Sequence, residues 1–361
     1  MPSLKDHYSR LQSVNDIGIT IPVPLVKQKS TVSTTQPPQT VSIPHQTEVN
    51  LTQLVVPESP AHDPVLPAPS GPTAKQELVT RGLSAVFDPS QTSRGQTQSK
   101  SSRLSLSEAF ELWLKRNPTA KMPLQAFLTS KLPADFPIVE ARVTRQRGFL
   151  GTSFFPTYLF GEEADKGVGV KTSLLRAKKK SNNKTSNYPI FAKSENDSGE
   201  AKLGKLRSNF VGSHFVLFSE GANPEKAAVD EAVRKELLAL TYEATKKKGP
   251  REIRAVIPVE KPKVPGKVLL EASELDDTVV HLANRKPRWN EHIQGYVLNF
   301  SKRVSEASVK NFQLVNKSDD VILQFGKVSK DDFSLDFKYP LSPLEAFGVA
   351  LSAFDFKWCC E

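Results

Sequence analysis

The sequence predicts a mainly β domain closed around one buried helix and preceded by a disordered tail, and three observations carry that reading. Bulk is missing from the beginning: of 20 Phe, 6 Tyr and 3 Trp, only Tyr8 and Phe87 fall in the first 100 positions, which hold 13 of the 27 prolines. A stretch so poor in large apolar side chains cannot bury enough surface to offset its conformational entropy. From Phe136 onward, short runs alternate with period two between turn-forming or charged clusters. Close to the C-terminus stands one short helix with no polar side.

Taken in chain order, residues 1–104 read as a Pro/Ser/Thr-rich tail, with linker composition in Ser33 to Gln39 and Pro57 to Pro72. Residues 105–135 form a helical lead-in. Ser105 and Glu108 suit a capping box, and Leu106, Phe110, Trp113 and Leu114 share one face of a helix that ends in Lys115 and Arg116. That face either packs on the folded domain or docks a partner. Residues 136–361 form the β domain. Phe333, Leu335, Phe337 and Tyr339 alternate with Ser334, Asp336 and Lys338; Tyr296, Leu298 and Phe300 repeat the device, as do Phe312 and Leu314. Each reads as a strand with one buried face. Comparable runs lie at Val139 to Val143, Phe155 to Phe160, Phe215 to Phe218, Ile253 to Val259 and Val321 to Phe325, and Asp165 to Val170 reads as a hairpin turn. Residues 225 to 242 fit either a helical stripe or a buried strand at Leu237 to Tyr242.

At the end, Ser342 can cap, Pro343 suits the first helical position and Glu345 completes a capping box. From Leu344 to Phe354 apolar residues cover every face. Such a helix is buried in protein or spans a membrane, and 13 residues rise only about 20 Å. Burial follows, with strands wrapped around it.

Several chemistries are excluded by what is missing. The two cysteines, Cys359 and Cys360, are adjacent and fit neither a disulfide framework nor a usual zinc site, which suggests a reducing, cytoplasmic setting. Six histidines show no metal-ligand spacing, and no P-loop, GxGxxG or GxSxG is present. We expect no metal, no cofactor and no catalytic residues. No apolar run reaches the ~20 residues that cross a bilayer, so membrane contact is expected to be peripheral.

Positive charge is concentrated. Of a net +10, ten basic residues between Lys171 and Arg207 face three acidic ones. That excess suits a lipid headgroup, a leaflet surface or nucleic acid. Lys178, Lys179, Lys180 and Lys184 form an auxiliary patch. In Lys205-Leu206-Arg207, a strand would turn Lys205 and Arg207 to one face and Leu206 to the core, an arrangement suited to a pair of phosphates. Spacing alone makes this a weak signal.

The strings FPTY (Phe155–Tyr158), KTSNY (Lys184–Tyr188), GKLRSN (Gly204–Asn209), GPR (Gly249–Arg251), YVLNF (Tyr296–Phe300), ASVKNFQL (Ala307–Leu314), LQFG (Leu323–Gly326) and the ending through Glu361 resemble, in order and spacing, the tubby-like proteins. The resemblance covers about Phe136 to the end. It implies a closed barrel of twelve antiparallel strands around a central hydrophobic C-terminal helix, and a strand at Leu237 to Tyr242. It also implies binding of phosphatidylinositol 4,5-bisphosphate by Lys205 and Arg207, assisted by Asn187 and Arg251. Where such proteins usually carry Gly before the Arg of the segment Phe300 to Val304, this chain has Lys302.

The function expected from this is a phosphoinositide-binding adaptor, peripheral at the plasma or ciliary membrane. Its tail would link membrane-protein cargo or intraflagellar transport complex A, with Leu4 to Val14 as the early mixed basic and apolar segment. The alternative is a nucleic-acid-binding transcription regulator in the nucleus, disfavoured for single strands because few aromatic residues interleave with the lysines. A lipid scramblase fits less well, since the terminal helix is too short to insert across a bilayer.

Overall fold

The computed structural model describes residues 103–148, 155–165, 167–181, 184–193, 199–228, 232–243, 251–260, 269–292 and 295–355. The tail expected over 1–104 therefore lies outside the described residues up to 102, as do Lys246 to Pro250, Cys359 and Cys360. Three helices are described: α1 (Leu106–Arg116), α2 (Pro123–Thr129) and α3 (Pro343–Ala353). The strands are β1 (Arg103–Ser105), β2 (Ile138–Gln146), β3 (Thr157–Glu163), β4 (Val170–Lys178), β5 (Asn187–Lys193), β6 (Glu200–Ser208), β7 (His214–Ser219), β8 (Glu236–Glu243), β9 (Glu252–Pro258) and β10 (Val279–Asn284), then β11 (Arg288–Asn290), β12 (Gly295–Val297), β13 (Phe312–Val315), β14 (Val321–Lys327) and β15 (Asp332–Phe337).

Twelve of them close a ring. The order β2-β15-β14-β13-β10-β9-β8-β7-β6-β5-β4-β3 returns to β2 through a β2–β3 ladder, and every pairing around the ring is antiparallel. Closure removes exposed strand edges. β1 lies outside the ring, parallel to the first residues of β2.

α3 fills the interior. Ser342 caps it, the Ser342–Glu345 capping box is complete, and every residue from Pro343 to Ala353 is buried. Its neighbours come from opposite sides of the ring: the Phe347 ring lies 5.6 Å from Phe160 of β3, Tyr242 of β8 bonds Ser352 across 2.7 Å, and Phe354 stacks on Tyr158 at 4.6 Å and edges Phe333 of β15 at 4.7 Å. The α1 capping box also forms, and Leu106, Ala109 and Trp113 join the main core. Of the two readings of that helix face, packing on the barrel is the one observed. Residues 236–243 are strand, so the ambiguous stretch resolves to β8.

Two expectations need correction. Tyr296 to Phe300 is not a barrel strand: β12 covers only Gly295–Val297, pairs with β11 in a separate hairpin, and leads into a segment laid over the outside of β13 and β14. Leu298, Phe300 and Val304 form their own apolar cluster there, and Val304 sits so close to Gly326 that any side chain on Gly326 would collide with it. In consequence β13, β14 and β15 are buried on both faces rather than one. Gln313 donates to Asn299 O and to Gln324 Oε1, while Gln324 donates to Phe300 O and Asp336. Arg303 bonds Asp336 at 2.8 Å and Glu163 at 2.7 Å. The polar alternates that the pattern assigns to solvent instead satisfy one another and the overlying backbone.

The overlying segment turns at Phe300–Arg303, where Arg303 N donates to Phe300 O at 2.9 Å and both Ser301 (φ 49°) and Lys302 (φ 64°) are left-handed. This is the geometry of a type I′ turn, whose second central position favours Gly. Lys302→Gly should stabilise the protein by about 0.5–1 kcal/mol, the relief of a strained Lys less the entropy of a freer unfolded chain. A thermal melt of the variant checks this; a lowered midpoint would count against it.

Candidate anion-binding site

Strand register assembles the site. On β6, Leu206 points into the core, so Lys205 and Arg207 face outward as the sequence predicts. Asn187 of β5 stands directly opposite Arg207, Arg207 opposite Val216 of β7, and Lys205 opposite Phe218. Phe215 and Leu217 belong to the interior core, which places Val216 and Phe218 on the outer surface. There they join Ala239, Leu269 and Val279 in a second apolar cluster, covered by the turn at Leu269–Ala272.

A third cation, absent from the sequence reading, completes the group. Arg234 lies over the Phe218 ring, 4.6 Å from its centroid, which sets it beside Lys205. An isolated bridge between Ala222 and Val233 holds it there, with Arg234 N bonded to Ala222 O at 3.0 Å. Its Nη2 donates to Asn223 Oδ1 at 3.1 Å, while its buried Nε has no hydrogen-bond partner among the described residues. Asn187 Oδ1 is likewise buried and unpartnered among them. Arg207 and Arg234 open onto a cavity of about 110 Å³ shared with Thr185, Asn209, His214, Asn223 and Glu225.

The electrostatics are those of a site held ready for negative charge. Burial, and then the nearby Arg234, Lys202 and Arg207 charges, push the Lys205 ammonium down to about 8. Burial and then Arg234 also lower Arg207. Burial lowers His214, which is thus neutral at physiological pH. Glu236, opposite Phe218, accepts a hydrogen bond from Leu269 N at 2.9 Å, and burial raises it to about 7. Neither Lys205 nor Arg207 has a carboxylate within ion-pair distance among the described residues. Both carry a penalty that an anion would relieve.

Other expected residues lie elsewhere. Arg251 is not brought to the group: it shares the inward parity of Ile253 and Ala255, donates to Val309 O at 2.7 Å and lies over the Tyr242 ring. The β9 residue in line with Arg207 is Val256, reached through Val216 and Ala239. Arg234 therefore occupies the place that the resemblance assigned to Arg251. Of the four lysines of the auxiliary patch, Lys178, Lys180 and Lys184 are exposed, but Lys179 is not. It pairs with the fully buried Asp355 just past α3 at 2.7 Å, and Ser186 and Tyr188 bond the same carboxylate. Other cations of the basic run are also engaged, Arg176 with Glu200, Lys202 with Glu220 and Lys171 with Asp165.

Comparison with known proteins bears on this architecture. A family model described as the Tub family matches residues 128–356. The chain belongs to the Tub family. It is 37% identical over 276 residues to Tubby protein homolog 1 of Caenorhabditis elegans, covering 68% of this chain and 65% of that protein. It is 39% identical over 243 residues to Tubby-related protein 3 of Mus musculus, covering 62% and 52%. With Protein king tubby of Drosophila sechellia it shares 38% identity over 242 residues, covering 62% and 53%. The chain thus spans between about half and two thirds of the length of these curated relatives. The Tub match takes in every cation of the outer-face group together with α3.

Proposed function

We propose that the protein is a peripheral membrane adaptor that recognises a phosphoinositide headgroup of the phosphatidylinositol 4,5-bisphosphate class. Lys205, Arg207 and Arg234 receive the phosphates and Asn187 orients them. The observation that carries this reading is the convergence of three cations on one outer spot, with no carboxylate among the described residues within ion-pair distance of Lys205 or Arg207. A guanidinium grips one phosphate through paired donors, and the ammonium adds a compact charge for its neighbour. Exposed Lys180 and Lys184 add diffuse attraction to an anionic leaflet. Among the described residues no helix is long and apolar enough to cross a membrane. The part played by the tail, joining membrane-protein cargo or intraflagellar transport complex A at the plasma or ciliary membrane, rests on family membership.

The test is binding of the full chain to vesicles carrying single phosphoinositides, against duplex DNA at the same salt and across pH. Vesicles with vicinal phosphates should win. A phosphate beside Lys205 raises its pKa, so binding takes up a proton above pH 8. Affinity should therefore be highest below pH 8 and fall by roughly tenfold between pH 7.5 and 9, where His214 is already neutral. Affinity flat across that range, or preference for DNA over every lipid, would overturn the assignment.

A further inference from the structure

We infer that the hairpin tip between β6 and β7 is a bilayer-inserting wedge, with Phe210 and Val211 entering the apolar edge of the leaflet whose headgroup the adjacent cations hold. The inference rests on the headgroup reading above. Phe210 is 60% and Val211 49% exposed, and they are the one sequence-adjacent pair among the exposed large apolar residues described. Adjacent apolar side chains left in water at a loop tip mark a contact surface.

The turn holds them outward. Asn209 Oδ1 accepts from the backbone N–H groups of Gly212, Ser213 and His214 at 2.9, 3.0 and 3.2 Å, and its Nδ2 donates to Ser213 Oγ at 2.9 Å. Gly212, with φ 78°, makes the sharp reversal. The same Asn209 and His214 line the cavity onto which Arg207 and Arg234 open, so the wedge is built on the wall of the cationic site. Its base is bonded to the loop bearing exposed Lys184, through Ser208 N to Ser186 O at 3.0 Å. A partner that presents phosphates to a recess and hydrocarbon beside it is the surface of an anionic bilayer. A soluble polyanion offers the first without the second.

The experiment compares the full wild-type chain with Phe210→Ser/Val211→Ser in two assays, vesicles containing phosphatidylinositol 4,5-bisphosphate and the water-soluble headgroup inositol trisphosphate. The double variant should keep the wild-type melting temperature and headgroup affinity yet lose roughly ten- to a hundredfold in vesicle affinity, the transfer of two apolar side chains. A Phe210→Trp variant should gain fluorescence quenching by lipids brominated on their acyl chains. Unchanged vesicle affinity, or equal losses in both assays, would overturn the wedge. Wild-type protein that binds vesicles but not the soluble headgroup would sink the headgroup site alone, the wedge then being judged by the vesicle loss. Failure to bind vesicles at all would sink both.

Discussion

Phe347→Asp is expected to leave no cooperatively folded domain. The side chain has no exposure, α3 is buried over its whole length, and strands β3, β8, β14 and β15 reach residues of the helix or its C-cap Phe354 from different sides of the ring. Losing the ring costs about 3–5 kcal/mol as a cavity, and an unpaired buried carboxylate costs several more. Together these reach the 5–15 kcal/mol that stabilise a whole domain. Phe347→Leu keeps the site apolar and should fold with a lowered midpoint. Near-ultraviolet circular dichroism during a thermal melt distinguishes the cases; a soluble Phe347→Asp protein with a sharp transition would contradict the interior position of α3.

The second large effect concerns the cations. Lys205→Ala/Arg207→Ala removes two groups that face outward and leaves Leu206 and the core in place. Charge-assisted hydrogen bonds are each worth about 1.5–3 kcal/mol, so the pair should cost a hundredfold or more in headgroup affinity and abolish discrimination among isomers. Because Lys205 and Arg207 stand against Arg234 with no ion-pair partner among the described residues, their removal should leave the melting temperature unchanged or raise it. Lys178→Ala/Lys180→Ala removes the same formal charge from exposed positions. It should weaken vesicle binding by about thirtyfold at most, less at physiological salt, and leave isomer preference intact. Lys179 is unsuited to that control, since its loss strands the buried Asp355. Equal losses and equal selectivity in the two double variants would show that attraction is only diffuse.

What the sequence determined by itself was whatever depends on near neighbours along the chain. Both capping boxes, the period-two runs of β14 and β15, the all-apolar α3 and the common face of Lys205 and Arg207 follow from spacings of two to four residues, which fix which side chains share a side. The family strings added the strand count and the identity of β8. Tertiary structure decided what depends on contact between distant segments. Arg234 reaches the cationic group because one bridge to Ala222 holds its backbone there, and no local pattern links it to β6. Arg251 was set apart by strand parity, Lys179 was claimed by a carboxylate at the far end of the chain, and Asp336 and Gln324 were buried by a segment that reads as one more strand. A charge or an amide cannot reveal from its own position whether water, a carboxylate or another cation will face it. That choice falls to the closure of the ring and the segments laid over it, because the energy of a polar group is set by its surroundings after folding.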